Sequence, residues 1–282
     1  MPASATRTSR RIALSLLVLV AAGLPSPERA AVASGTQTLR ICADPGNLPF
    51  SHQNGEGFEN KVAELLGRKL DLPVTYTWFP QTIGFIRNTL KAKKCDLILG
   101  AVADQEPLQS TEPYYRSAYA LVYRTGSDLA KVESLSDPQL EDRSIGIVAG
   151  TPPATIMAMN GLLGSSKSFP LAVDRRHSSP AERMVAQIAA GDLDAGILWG
   201  PIAGYYAKQN STDLMITPLL KETKGPQMTF AISMGVRHGD HAWKAQVNNL
   251  ISTHQGEINE VLRGFGIPLV SVENHELVSP QN

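Results

Sequence analysis

Cysteine, excess charge and long apolar runs are all scarce in this sequence of 282 residues. Because Cys42 and Cys95 are its only cysteines, no zinc or iron–sulfur site can be built from thiolates alone. The 26 basic and 26 acidic side chains cancel, and no long run of Lys and Arg follows the N-terminal segment. Nucleic acid is therefore not expected as the main partner, since phosphate binding needs a concentrated positive face.

The longest apolar run, residues 12–24, is shorter than the ~20 residues that a membrane-spanning helix needs. Arginines precede this run, prolines follow it, and alanines occupy positions 31 and 33. This pattern is typical of a signal peptide, so we predict that residues 1–33 direct export to the periplasm and are removed. No membrane span is expected in the remaining chain.

With 43% apolar residues, the chain can form one large or two small cores, which excludes disorder. From Leu39 onward, short apolar strands alternate with amphipathic helices, twice in the same order. In the first run we predict strands at 39–43, 74–78 and 97–99, with helical apolar stripes formed by Phe58, Val62, Leu65, Leu66 and Leu70, then by Ile83, Ile86 and Leu90. In the second run we predict strands at 144–149, 169–173 and 195–199, with helices at 153–159 and 180–190.

Two further extended stretches, 119–124 and 228–236, indicate that the chain crosses between two lobes twice. The predicted fold is α/β and two-lobed, each lobe a doubly wound sheet. We place lobe I at residues 34–122 and 232–282, and lobe II at 123–231. Because parallel sheets place ligand sites outside the carboxyl ends of their strands, a cleft between the lobes is the expected site.

Four loops follow strand ends at this cleft: 44–50, 100–104, 150–155 and 199–204. In the first loop, Asp44 and Asn47 flank Pro45 and Gly46, and these residue types are typical of a turn. A ligand role and a plain strand-to-helix connection are equally favoured for these two polar residues. Phe50 places an aromatic ring at the same mouth.

Later in the chain, aromatic and cationic residues cluster near the first crossover. Together with Tyr119, the residues Tyr114, Tyr115 and Arg116 can clamp a small polar ligand or simply pack between the lobes. Thr151 is the expected cap of a helix whose N-terminus can hold an anion, although every capped helix has this feature. Trp199 ends the last strand of lobe II, where it is a candidate lid or partner contact.

Catalytic motifs are absent: no G-x-S-x-G elbow, Walker loop or H-E-x-x-H occurs. His238, Asp240 and His241 resemble a metal cluster, but they lie where a strand passes to a helix, so a surface helix start is favoured. The basic run 175–177 is interpreted as a solvated loop. We therefore expect no metal, no cofactor and no catalytic residue.

The two cysteines fall on the first and third predicted strands of lobe I. Those strands are neighbours in a doubly wound sheet, so a disulfide between Cys42 and Cys95 is geometrically plausible, and an exported compartment permits it. Free buried thiols are the alternative.

These features resemble a known family, the type II periplasmic solute-binding proteins, over nearly the whole mature chain. The resemblance is carried by the export signal, the two lobes and the sequence motifs at 57–60, 88–92, 95–100 and 113–115. Amino-acid-binding members typically follow the third strand with a Thr-x-x-Arg segment that holds the ligand carboxylate. Here segment 101–108 has no Arg, and Trp199 stands where an acidic residue is usual, so ordinary amino-acid capture is not expected.

Within that family, the chain resembles the binding-protein-like accessory proteins of quinoprotein alcohol dehydrogenases, the J-type proteins of methanol oxidation. The motifs shared with that subgroup are at 40–45, 47–51, 55–60, 76–78, 80–81, 84–90, 113–117, 197–201 and 204–206. The resemblance implies a periplasmic, non-catalytic partner of a pyrroloquinoline-quinone (PQQ) dehydrogenase. The alternatives are a transport receptor for a small polar solute and, ranked last, a periplasmic dehydratase using Glu59 or Asp44 as its acid.

The predicted cleft loops and these motifs together define the candidate ligand-contacting residues. They are Asp44, Asn47, Phe50, Phe58, Glu59, Trp78, Arg87, Tyr114, Tyr115, Arg116, Thr151 and Trp199.

Overall fold

The structure, a computed structural model, describes Met1 and residues 37–103, 107–171, 179–271 and 276–278. The predicted signal peptide, apart from Met1, and the basic run 175–177 lie outside these residues. None of the helices in the described ranges has the length and apolar content to cross a bilayer.

Eleven strands and seven helices make up the described part of the chain. The strands are β1 (Leu39–Ala43), β2 (Gly46–Asn47), β3 (Ser51–His52), β4 (Val74–Trp78), β5 (Leu97–Val102), β6 (Gln109–Arg124), β7 (Ile145–Val148), β8 (Lys167–Phe169), β9 (Ala195–Trp199), β10 (Leu214–Pro218) and β11 (Thr229–Val236). The helices are α1 (Phe58–Leu70), α2 (Phe85–Asn88), α3 (Pro152–Met159), α4 (Pro180–Ala190), α5 (Gly200–Gln209), α6 (His241–Thr253) and α7 (Gln255–Gly264).

The strands pair in the order β4-β1-β5-β11-β6-β9-β7-β8. Strand β10 pairs with the second half of β6. In one half, β1 lies between β4 and β5 and is parallel to both. In the other half, β7 lies between β8 and β9 and is parallel to both. The two halves therefore repeat one pattern, and the predicted fold of two doubly wound lobes joined by crossover strands is confirmed.

Strand β6 joins the two halves. Its first part pairs with β11 as far as Ala118 opposite Thr229, and its second part pairs with β9 from Tyr119 opposite Trp199. The sequence predicted two separate sheets, with residues 119–124 as one of two extended connections between them. Instead β6 has 16 residues, about 50 Å of extended chain, so hydrogen bonding passes unbroken from one lobe to the other. The boundaries at 122/123 and 231/232 stay a prediction.

The apolar stripe predicted for α1 is buried against the sheet of lobe I. Phe58, Val62 and Leu66 each have at most 1% of their surface exposed, and Leu70 packs at the margin of the same cluster. Helix α6 covers this lobe as well, because Val247 and Ile251 belong to the same core. In lobe II, neighbouring strand residues point to opposite faces and build two cores, one on each side of the sheet.

Two local predictions were wrong. Ile83 was expected on the buried face of a helix but is fully exposed, and α2 begins only at Phe85, whose ring is buried instead. The reason is Gly84, which has a left-handed φ of 93° and interrupts the helix. Strand β8 spans Lys167–Phe169 and ends before Pro170, which has no N–H to donate to a ladder. Residues 172 and 173 of the strand predicted at 169–173 lie outside the described residues.

The disulfide between Cys42 and Cys95 is present. The two Cα atoms are 5.4 Å apart, within the range that a disulfide spans. Cys42 lies on β1 as predicted, whereas Cys95 comes just before β5 rather than on it. Both side chains are buried, so the bond links β1 to the segment before β5 inside lobe I.

An ion-pair network lies directly beside the disulfide. The Asp96 carboxylate accepts hydrogen bonds from Arg40 Nε at 2.6 Å and from Arg237 Nη2 at 2.7 Å. Burial acts to raise the pKa of Asp96, but these two guanidinium groups outweigh it and hold the pKa below its usual value. Arg237 also donates to the Cys95 carbonyl at 2.6 Å, so the network anchors the disulfide loop to the segment after β11.

Candidate functional site

A cavity of about 1220 Å³ opens where the two lobes face each other. Its walls are the loop after β1, the end of β5 at Gly100 and Val102, the turn after β7 at Thr151, and the end of β9 at Trp199. These are carboxyl ends of strands, where ligand sites of such sheets form. The volume exceeds that of most pockets for small molecules, which lie between roughly 300 and 1,000 Å³.

Six of the twelve candidate residues line this cavity. They are Asn47, Phe50, Glu59, Tyr115, Thr151 and Trp199. The structure therefore brings together side chains from both lobes that are far apart in the sequence. Their contact with a ligand stays a prediction.

The other six lie away from the cavity wall, and three of them have clear structural duties. The Asp44 carboxylate accepts hydrogen bonds from the backbone N–H of Gly46 at 2.9 Å and of Gln81 at 2.6 Å. It thus holds the loop in shape, which agrees with the connection interpretation. Phe58 and Tyr114 have no exposed surface and belong to the core of lobe I.

Trp78, Arg87 and Arg116 are also placed elsewhere. Trp78 stacks on Tyr76 with ring centroids 4.6 Å apart on the edge strand β4. Arg87 is exposed on the short helix α2. Arg116 lies within β6, opposite Ala231 of β11. None of the three side chains is part of the cavity wall.

An aromatic cluster forms one wall of the cavity. Trp199 packs edge-on against Tyr119, with centroids 5.4 Å apart, and against Phe230, at 5.8 Å. The three rings come from β9, β6 and β11, which meet where the chain passes between lobes. Tyr119 was noted in the sequence with the aromatic residues near the first crossover, whereas Phe230 was not, although its position on the second predicted crossover strand was the available signal.

Glu59 contributes a buried carboxyl group to the opposite side of the cavity. It is the second residue of α1, only 9% exposed, and its carboxylate fills the space beside Gly100. Gly100 has a left-handed φ of 74°, and a side chain there would overlap Oε1 of Glu59. Burial, and secondly the negative charge of Asp44, raises the pKa of Glu59 to about 8. The carboxyl group is therefore mostly neutral at pH 7.

Thr151 occupies the expected position before α3, but it does not cap that helix. Its hydroxyl donates back to the Val148 carbonyl at 2.6 Å instead of accepting from the first turn. Pro152 and Pro153 follow and have no N–H to offer. The anion-binding interpretation of this helix start is correspondingly weakened.

The charged groups on the described cavity wall are mainly acidic. Glu59 and Glu182 are carboxylic acids, and His52 lies 3.5 Å from Glu56 through its Nδ1 atom. The described lining residues include no Lys and no Arg. The described part of the wall accordingly offers no fixed positive charge for a ligand carboxylate.

The H-x-D-H segment forms a helix start, as favoured from the sequence. Asp240 precedes α6 and pairs with Arg237 at 2.8 Å, while His241 Nδ1 lies 3.2 Å from Gln109 Nε2. Within the described ranges, no group of three His, Cys, Asp or Glu side chains is placed to hold a metal ion.

Comparison with known proteins relates this architecture to one family. The profile of the bacterial extracellular solute-binding proteins, family 3, matches residues 39–264. The protein MoxJ of Methylorubrum extorquens strain AM1 is 31% identical over 252 residues, which cover 84% of this chain and 83% of that protein.

Solved structures show the same relationship in three dimensions. The periplasmic binding protein XoxJ from Methylobacterium extorquens AM1 is 41% identical with a TM-score of 0.71, covering 83% of this chain and 100% of that one. MxaJ from Methlophaga aminisulfidivorans MPT is 25% identical with a TM-score of 0.70, again covering 83% and 100%. These matches agree with the resemblance inferred from the sequence motifs.

Proposed function

The chain belongs to the bacterial extracellular solute-binding proteins, family 3, and from that premise we propose that it is a periplasmic, non-catalytic accessory protein of a PQQ-dependent alcohol or methanol dehydrogenase. The observation that carries this proposal is the similarity to MoxJ, XoxJ and MxaJ over more than four fifths of the chain. Export through the segment 1–33 is part of the proposal.

The cleft supports a role other than amino-acid capture. A free amino acid brings a carboxylate that needs a positive partner, and the described wall supplies none. Its aromatic cluster, Tyr119, Trp199 and Phe230, instead resembles the anchors of protein interfaces, which are rich in Trp and Tyr. Because β6 and β11 connect two lobes, a partner that prefers one lobe arrangement shifts the population toward it.

The test is deletion of the gene in the organism that carries it, followed by complementation. Deletion is expected to abolish dye-linked alcohol oxidation in periplasmic extracts while the dehydrogenase polypeptide is still present. The wild-type gene should restore activity. Unchanged alcohol oxidation after deletion would refute the proposal. The alternative, a transport receptor, is favoured by the intact cavity and predicts loss of uptake of a solute instead.

Trp199→Ala is expected to weaken binding to the purified dehydrogenase about 30-fold, which corresponds to the ~2 kcal/mol typical of a central interface tryptophan. The fold should persist, since Trp199 lies on the cavity wall and is only partly buried. The dissociation constant and the thermal midpoint are measured together. Trp78→Ala, which truncates a tryptophan outside the cavity, is the matched control and should bind normally.

A different outcome would reassign Trp199. If Trp199→Ala loses its cooperative thermal transition, the residue is part of the core of lobe I. If the variant folds and binds the dehydrogenase as tightly as the wild type, the aromatic cluster is not the partner contact.

A further inference from the structure

The buried carboxyl group of Glu59 has no role in the accessory function proposed above. It lies on the cavity wall with 9% of its surface exposed. The hydrogen bonds among described residues include none to either of its carboxylate oxygens, although Glu59 N–H donates to the Phe50 carbonyl at 2.9 Å. A buried acid without a partner is costly unless a bound group compensates it.

The groups around Glu59 do not supply that compensation. Asp44 faces it from the loop after β1, Tyr76 from β4, and Tyr114 and Tyr115 from β6. All four are acidic or neutral. Elsewhere on the cavity lining, Glu182 adds a second carboxylate, and His52 lies next to Glu56. Positive charge is therefore missing from the described surroundings of this acid.

Aromatic rings line the same cavity. Phe50 and Tyr115 flank Phe58, with centroids 5.4 and 6.0 Å from its ring, and both reach the wall beside Glu59. Trp199 and Phe230, which pack against each other, line the same cavity. Aromatic faces attract cations, most strongly where water is excluded. A carboxyl group and an aromatic wall together favour a positively charged ligand with an apolar part.

We propose that the cleft binds an organic monocation, whose ammonium group pairs with the Glu59 carboxylate while its apolar part packs on the aromatic wall. An anion would meet Glu59 and Glu182, and a zwitterionic amino acid would leave its carboxylate without a counter-charge on the described wall. This site does not depend on the dehydrogenase, so its failure would leave the accessory function standing.

Binding of a cation is coupled to the protonation state of Glu59. A cation binds the ionised form of Glu59, whereas the empty protein holds this group largely protonated below pH 8, since its pKa is about 8. Binding must therefore release a proton at neutral pH. Affinity should rise about tenfold from about pH 6 to about pH 7 and level off above pH 8. An anionic ligand would show the opposite trend.

The experiment is isothermal titration calorimetry of the full mature protein with three probes of similar size. They are 2-phenylethylammonium, neutral 2-phenylethanol and anionic phenylacetate. Near pH 7, two buffers with different ionisation enthalpies report the protons exchanged. We expect the ammonium probe to bind most tightly and to release nearly one proton per ligand.

The variant Glu59→Gln identifies the group responsible. It mimics the neutral carboxyl of the empty protein, so the fold should be retained, as circular dichroism would show. Its affinity for the ammonium probe should fall at least tenfold at about pH 8 and lose its pH dependence. The matched control is Glu64→Gln, which should behave as the wild type. Glu64 lies on the same helix but outside the cavity, where it contacts Lys61 at 3.2 Å.

Three results would overturn the proposal. The first is tighter binding of phenylacetate or 2-phenylethanol than of the ammonium probe. The second is binding of the ammonium probe to the wild-type protein without proton release. The third is the absence of any binding of the ammonium probe at millimolar concentration.

Discussion

Replacing both Cys42 and Cys95 by alanine is expected to lower the free energy of unfolding by about 4 kcal/mol. The disulfide closes a loop with a sequence separation of 53 residues, and the chain-entropy treatment gives ~4 kcal/mol for a loop of this length. Both side chains are buried, so the substitution also removes a little apolar packing. Urea unfolding followed by tryptophan fluorescence measures the loss.

Reducing agent provides the control for this prediction. The wild type unfolded in the presence of a thiol reductant should lose about as much stability as the double variant, and the variant should not respond to the reductant. A difference below about 1 kcal/mol between oxidised wild type and double variant would contradict a stabilising role for the bond.

Gly204→Ala is expected to cost about 3 kcal/mol of stability, at the upper end for overpacking. An added Cβ would overlap the backbone carbonyl of Gly266, which cannot rotate away as a flexible side chain would. Lys208 of the same helix, α5, donates to the Gly264 carbonyl at 2.6 Å. Helix α5 follows β9 of lobe II, whereas this C-terminal segment packs on lobe I. The close approach therefore ties the two lobes together.

Gly264→Ala is the matched control. Gly264 ends helix α7, only two residues from Gly266, and a Cβ there would meet nothing within 4 Å. Alanine is a better helix former than glycine, so this variant should be slightly more stable, by less than 1 kcal/mol. The thermal midpoints of both variants are compared with that of the wild type. Equal midpoints for Gly204→Ala and the wild type would contradict the proposed contact.

Much of the fold was predictable because each lobe repeats a simple pattern. Apolar residues at helical spacing predicted α1, and continuous apolar runs predicted β5 and β9, because strands buried on both faces need no polar alternation. The length of β6 was not predictable. Its first part, from Gln109, contains charged residues and Pro113, which interrupt an apolar pattern but are tolerated where β11 is the one paired strand among the described residues.

Six of the twelve predicted site residues line the cavity, and adjacent residues show why the others do not. Tyr114 and Tyr115 are both buried in the core of lobe I, but only Tyr115 also lines the cavity. Phe58 enters the core, whereas its neighbour Glu59 reaches the cavity. Sequence motifs marked segments that reach the cavity but could not determine which residues of each segment line it.

The raised pKa of Glu59 also lay beyond sequence reasoning. It arises from burial beside Gly100 at the end of another strand and from the charge of Asp44. Both neighbours come together only once β1, β5 and α1 are assembled. The local signal in the sequence was Gly100, directly after the apolar run 97–99, since a glycine leaves room for a neighbouring side chain.

Affinity purification of the tagged protein from the periplasm of alcohol-grown cells is the decisive test of the proposed partnership. The eluate is expected to contain a quinoprotein dehydrogenase and to oxidise alcohol in a dye-linked assay, whereas the separated accessory chain is expected not to. An eluate without dehydrogenase activity, or alcohol oxidation by the isolated chain, would contradict it.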